Sequence, residues 1–287
     1  MNQVVRVQIP RWMKINNRIN QILKWTFFGL VLFLIYFPLI IITLQSVNDS
    51  STGRSFMGFT LKWYQAMLYN EELMRAIGIT ISMAVIATLI SVVFGTLASI
   101  GIHSLAPKKR KRAILLNNVP VLNADIVTGV FLMLMLQGIS FIIPGVKVFG
   151  YFSMLFAHVF FCTPYVVLSI LPKLNEIDNN LFDAALDLGC TPNGALRKVI
   201  IPSIKAGIIS GGLIAFTMSI DDFVISYMTS GNGVLNFSMW LYSIRNPFRN
   251  NTMQMASAYN TIISMGTLVI LIIYNLLKMR KKKGVNH

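Results

Sequence analysis

Three carboxylates stand where a carboxylate is costly. Asp125, Asp221 and Asp222 fall inside stretches apolar enough to cross a bilayer, while the other seven acids lie between such stretches. No Lys or Arg occupies the interior of any of these stretches, so the three acids have no fixed basic partner. An unpaired carboxylate at such depth is usually turned to a bundle interior or a water-filled path. A path carrying acid and no base suits a cation. A cation would bind carboxylates by charge and aromatic faces by cation–π contact, and Phe223, Tyr227 and Trp240 are the aromatic partners on offer. A second reading stays open. Adjacent helical positions point about 100° apart, so Asp221 and Asp222 are not expected to share one lumen; either can instead bond backbone groups freed where a helix ends or breaks. Asp125, with Pro120 and Asn123 close by, can cap a helix that restarts within the membrane.

Other chemistry has little support. No GxxxxGK[ST] phosphate loop occurs, and no zinc-ligand or Ser/His/Asp spacing stands out. His103, His158 and His287 are scattered and read as non-catalytic. Cys162 and Cys190 fall in a spanning stretch and a loop, which argues against a disulfide framework.

The elements that must position the acids are membrane helices. Of 287 residues, 55% are hydrophobic and 12% charged, against about 25% charged in soluble domains. Residues 25–45, 76–102, 151–171, 206–228 and 255–277 are each long and apolar enough to span. Residues 113–137 form a sixth span that carries Asn117, Asn118, Pro120, Asn123 and Asp125, tolerable if buried among neighbours or lining a wet cavity. Six spans put both termini on one side. The tails and even-numbered loops hold 19 of the 25 Lys and Arg, leaving Arg54, Lys62, Arg75, Lys147, Arg245 and Arg249 opposite. By the positive-inside rule both ends are cytoplasmic, and the net charge of +15 is explained without nucleic acid. The basic start precedes a full span rather than a short signal core, so the first helix is expected to remain as an anchor. The expected organisation is a basic segment at 1–24, a membrane domain at 25–277 and a basic tail at 278–287.

The longest cytoplasmic loop, residues 172–205, reads as two short helices. The first starts after Asp178 or Asn179 and carries an apolar stripe through Leu181, Phe182, Ala185 and Leu188, before Gly189 offers a left-handed C-cap. The second has Thr191 as N-cap and Pro192 at its first position, and Pro202 is expected to end it. From periodicity alone, an interfacial helix resting on headgroups is an equal reading.

Asp183-Ala184-Ala185, then Gly189, then Val199-Ile200-Ile201-Pro202 resembles the EAA motif of ABC importer permeases: EAA, three residues, G, nine residues, I-x-L-P. The spacing matches throughout, with Asp183 for Glu, Val199 for Ile and Ile201 for Leu. The resemblance implies a type I importer permease, all-α with six transmembrane helices, whose elbow docks in a groove of a cytoplasmic ATPase. Asp183, Ala184, Ala185, Gly189 and Pro202 are then the coupling residues. ATP and Mg belong to the ATPase, and the other implied partners are a homologous second permease and an extracellular substrate-binding protein. Phe59-Thr60-Leu61-Lys62-Trp63-Tyr64, Gly95-Thr96-Leu97-Ala98 and the run from Ser219 through Asp221-Asp222-Phe223 to Ser226 extend the resemblance over nearly the whole chain. The first two are shared by several permease branches; the third, with its paired Asp, resembles the polyamine branch, in particular the second permease of spermidine/putrescine importers. Taken with the unpaired acids and nearby rings, Asp125, Asp221, Asp222, Phe223 and Tyr227 are the candidate residues of the substrate path. Two alternatives stay open: a permease for another solute such as iron, and an ion-coupled secondary transporter using the same acids as proton relays.

Overall fold

The structure, a computed structural model, describes residues 11–50, 55–143, 145, 147–178, 180–231, 233–244 and 251–283. Arg54, Arg245, Arg249, Asn179 and His287 lie outside these residues, as do the ends of both basic tails. The described residues are helical apart from turns, loops and one isolated β-bridge between Asn48 and Phe59. The chain divides into two compact units, Met1–Asn70 with Asn246–His287, and Glu71–Arg245.

In the first unit, α1 (Arg11–Ser46) packs on α13 (Thr252–Lys283), with the short α2 (Lys62–Tyr69) also against α13. The connection from α1 to α2 is tied by Asn48, whose side-chain oxygen accepts from the Ser50 and Met57 amides and whose carbonyl accepts from the Trp63 indole at 2.6 Å. Trp63 is buried and the Tyr64 hydroxyl meets Ser46 at 2.9 Å, so the Trp63-Tyr64 pair of the first family-like string serves packing here.

In the second unit, α6 (Tyr151–Asn175) packs against both α3 (Glu71–Ser104) and α10 (Lys205–Asp221), which also touch each other. Between apolar helices in lipid, close backbone approach replaces the hydrophobic drive, which favours small residues at the crossings. A Cβ on Gly95 would lie 2.7 Å from Val166 Cγ1; one on Gly211 would lie 3.0 Å from Val166 Cα, and one on Gly207 2.9 Å from the Ser169 carbonyl oxygen. Cys162, Val166, Val167 and Ile170 of α6 are fully or almost fully buried. Arg110 binds both His103 and Asn175, joining the ends of α3 and α6 to the start of α4 (Pro107–Leu122).

Two expected spans are interrupted. The stretch 113–137 divides between α4 and α5 (Asp125–Ile142). Pro120 has no N–H to donate, Asn123 turns extended, and the Ala124 carbonyl then accepts from Val127 and Thr128 to begin a new helix. Here α5 is long and apolar enough to cross by itself, and Asp125 sits in its first turn rather than mid-span. Asn117, Pro120 and Asn123 line an apolar groove of about 970 Å³ between α3, α4, α5 and α6. The stretch 206–228 likewise divides, at Asp222 and Phe223, into α10 and α11 (Val224–Thr229). The helices α1, α3, α5 and α6 all meet the length and hydropathy of a span, and α13 contains the last expected one.

Candidate functional site

The break after α10 leaves the first amides of α11 without helical partners, and such donors must be satisfied when buried. Asp222 satisfies them. Its carboxylate accepts from the Ile225 amide at 3.3 Å, the Ser226 amide at 2.7 Å and the Ser226 hydroxyl at 2.7 Å. Its own carbonyl accepts from the Asn236 side-chain amide at 2.8 Å. Asn236 in turn caps α12 (Phe237–Ser243) by accepting from the Met239 amide, and donates to Ser226 Oγ at 2.9 Å. Of the two readings left open for the Asp pair, Asp222 takes the capping one.

His158 of α6 belongs to the same network. It is fully buried, with Nδ1 at 2.7 Å from Ser219 Oγ and Nε2 at 2.9 Å from Ser226 Oγ. The residue types are those of a hydrolase triad, but the connectivity is not: the Asp222 carboxylate accepts from the serine, lies 3.6 Å from the imidazole, and Ser226 is fully buried. Sequence reading missed this histidine because its partners are 61 and 68 residues away.

Asp221 differs from its neighbour. It is exposed at the end of α10 and has no hydrogen-bond or ion-pair partner among the described residues. Two positions on begins an aromatic cluster: Phe223 and Tyr227 stack at 5.5 Å, and Tyr242 of α12 meets Phe223 at 5.0 Å and Tyr227 at 6.2 Å. Tyr227 is 53% and Tyr242 70% exposed, so both offer ring faces to a ligand. Trp240 does not join them. It is 5% exposed and packs on Phe237, because on a helix of seven residues positions 240 and 242 point apart. Tyr242 takes the place expected of Trp240. Asp125 is exposed in the first turn of α5, where a carboxylate complements the helix dipole, and no hydrogen bond or ion pair joins it to Asp221 among the described residues.

The elbow forms much as its punctuation requires. After Asn180, α7 (Leu181–Asp187) ends in a Schellman turn: Gly189 adopts φ +83°, its N–H donates to Leu186 at 2.8 Å, and the Cys190 N–H donates to Ala185 at 3.0 Å. Thr191 caps α8 (Pro192–Ala195) by accepting from the Gly194 amide at 3.1 Å, with Pro192 first in the helix. Pro202 does not end the second helix. The chain passes through a π-turn at Leu196–Ile200 and on through α9 (Ile201–Ser203), bending by 69° only at Ile204 before α10. Pro202 follows the π-turn directly, where the Ile201 amide already reaches back to the Leu196 carbonyl, and the helix runs on past it to Ser203. Ala185 turns inward, 5% exposed, onto the second helical segment, whereas Asp183, Ala184, Leu188 and Gly189 face outward. Leu188 is 87% exposed although it continues the apolar stripe, because α7 ends at Asp187.

A helical membrane unit with interrupted spans, an internal carboxylate and a projecting elbow is the architecture of a transport permease. Residues 113–283, more than half of the chain, match the family described as binding-protein-dependent transport system inner membrane component, and the chain belongs to that family. It is 28% identical over 93% of its length to the spermidine/putrescine permease PotC of Escherichia coli, covering 97% of that protein. It is 32% identical to PotC of Haemophilus influenzae (73% of this chain, 79% of the relative), and 30% identical to the putrescine permease PotI of Escherichia coli (73% and 75%). Among solved structures, a bacterial alginate ABC transporter bound to its periplasmic protein is similar with a TM-score of 0.69 at 15% identity, covering 94% of this chain and 98% of that one. The MetNI methionine transporter is similar at 0.56 and 18%, covering 74% and 98%. The fold is the type I ABC permease fold, and the protein is a multi-pass membrane permease.

Proposed function

We propose that this chain is one of two permease subunits of an ATP-driven polyamine importer, with spermidine and putrescine as its substrates. The observation that carries the substrate class is Asp221, an exposed carboxylate without a basic partner among the described residues, followed by the exposed aromatic surface of Phe223, Tyr227 and Tyr242. Ammonium groups pair with the former and rest on the latter. The sequence kinship to PotC and PotI supports the same class.

In this reading both termini are cytoplasmic, and the elbow at residues 172–205 docks on a partner ATPase that holds ATP and Mg. Asp183, Ala184, Leu188 and Gly189 make the contact, while Ala185 and the bend after Pro202 hold its shape. A substrate-binding protein delivers the polyamine from outside. ATPase closure moves the elbow, and the permease pair alternates between outward-open and inward-open states. This chain carries out no covalent step; its work is differential contact with the two states. Asp125 lies on the path as a further carboxylate.

The test is ATP hydrolysis by the reconstituted transporter with its binding protein, measured against spermidine, putrescine, sulfate and ferric iron. Stimulation by polyamines alone is expected. Stimulation by iron or sulfate instead would discard the polyamine and keep the permease; a chain that transports with no ATPase attached would discard the importer.

A further inference from the structure

We propose that His158 is a positioning residue of the substrate path: with Ser219, Ser226 and Asn236 it holds Asp222 as the cap of α11, leaving Asp221 and the aromatic face to meet the cation. This rests on the proposed role of Asp221 as a path carboxylate.

With Asp222 taken as the ionised acceptor, the two ends of the network give one consistent arrangement of its protons. Two backbone amides point at Asp222, which therefore acts as acceptor. The Asn236 oxygen accepts from the Met239 amide, so its NH2 faces Ser226 Oγ and the Asp222 carbonyl. Ser226 has one hydroxyl proton, and it goes to Asp222 Oδ2. His158 Nε2 must then donate to Ser226, and Nδ1 accepts from the Ser219 hydroxyl. This assignment, with a neutral imidazole protonated on Nε2, satisfies all partners. Such ordered chains strengthen each bond by polarisation.

The placement matters more than the count. Ser219 lies on α10, two residues before Asp221, and Ser226 lies on α11, one residue before Tyr227. The imidazole therefore bridges the break with one nitrogen on each side, fixing the two half-helices that carry the carboxylate and the rings. Without it both halves keep their own hydrogen-bonded turns but lose their mutual setting. A packing residue would not act in this way; it would lower the yield of folded transporter without altering how a folded one discriminates.

The experiment uses the complete transporter in proteoliposomes, with both permeases, the ATPase and the binding protein, and measures spermidine and putrescine uptake for His158→Leu, His158→Gln, Asp221→Asn and the His158→Leu/Asp221→Asn pair. Leucine preserves bulk but bonds nothing; glutamine carries one donor and one acceptor group. The expected result is that His158→Leu lowers uptake about tenfold and changes the spermidine-to-putrescine ratio in the same sense as Asp221→Asn. In the Asp221→Asn background it costs less than about twofold more, the non-additivity of coupled residues. His158→Gln restores the ratio. Uptake of both substrates falling in proportion, full multiplication in the pair, or glutamine behaving as leucine would each overturn the proposal while leaving Asp221 on the path. Asp221→Asn transporting as the parent does would overturn the path reading and this proposal together. Where His158→Leu does not assemble, Ser219→Ala carries the test: it removes only the far hydroxyl, and an unchanged ratio there likewise overturns the proposal.

Discussion

The second unit interrupts its helices at two places that solve one problem in opposite ways. At the elbow the interruption is exposed, and local chemistry suffices: Gly189 supplies a left-handed turn, and Thr191 caps its own helix from three residues away. At Asp222 the interruption is buried: Asp222 caps the Ile225 and Ser226 amides from three and four residues away, and two other segments hold the cap through His158 and Asn236. An exposed break is thus written in neighbouring residues and leaves its outer surface free for a partner. A buried break is capped locally too, but its cap must in turn be bonded from a distance, and its polar groups are largely consumed in holding it. That is why one member of the Asp pair is occupied as a cap and the other remains free.

The largest expected effect is at the buried break. Asp222→Leu removes the acceptor of two amides and a hydroxyl in a dry setting, and should cost about 2–4 kcal/mol, read as a lowered midpoint in thermal unfolding of the purified complex. A stability equal to the parent's would show that water reaches this break after all, and the contrast with the elbow would collapse. At the elbow, Gly189→Val forces a β-branched residue to φ +83° and should cost about 1–2 kcal/mol. Its signature is the loss of substrate-stimulated ATP hydrolysis while the ATPase still co-purifies. Thr191→Ala deletes one exposed cap and should cost about 1 kcal/mol, with uptake reduced less than by Gly189→Val in the same assay. The smallest change in stability belongs to Leu188→Asp, within about 0.5 kcal/mol because the side chain touches little of its own chain. Retention of the ATPase on the immobilised permease should nevertheless fall, and full retention would remove Leu188 from the docking surface.

The local character of the elbow made it legible in advance. Gly189, Thr191 and Pro192 act within a few residues of themselves, so the Schellman turn and the capped second helix could be read from the string. Pro202 misled for a related reason. A proline removes one helical hydrogen bond, but behind the π-turn the helix still runs on to Ser203 and bends only at Ile204. Burial was harder to read: Ala185 and Leu188 share one apolar stripe, yet the helix ends at Asp187 and leaves Leu188 outside. The two interrupted spans carried local signs, Pro120 with Asn123 in one and the paired acids in the other. Hydropathy alone ran straight through both, because it sums over residues and does not see which amides lack partners.

By itself the sequence determined the features that depend on composition and short range: the membrane helices, the punctuation of the elbow, and the presence of acids without bases in the apolar stretches. These rest on transfer free energies and on backbone preferences, which act on each residue where it stands. Only the tertiary structure decided that Asp222 is spent on a cap while Asp221 stays free, that Tyr242 rather than Trp240 completes the aromatic face, and that His158 spans the break. Each of these turns on where the helices break and on which residues the fold brings to the break, and a carboxylate becomes available to a ligand only when nothing nearer has claimed it.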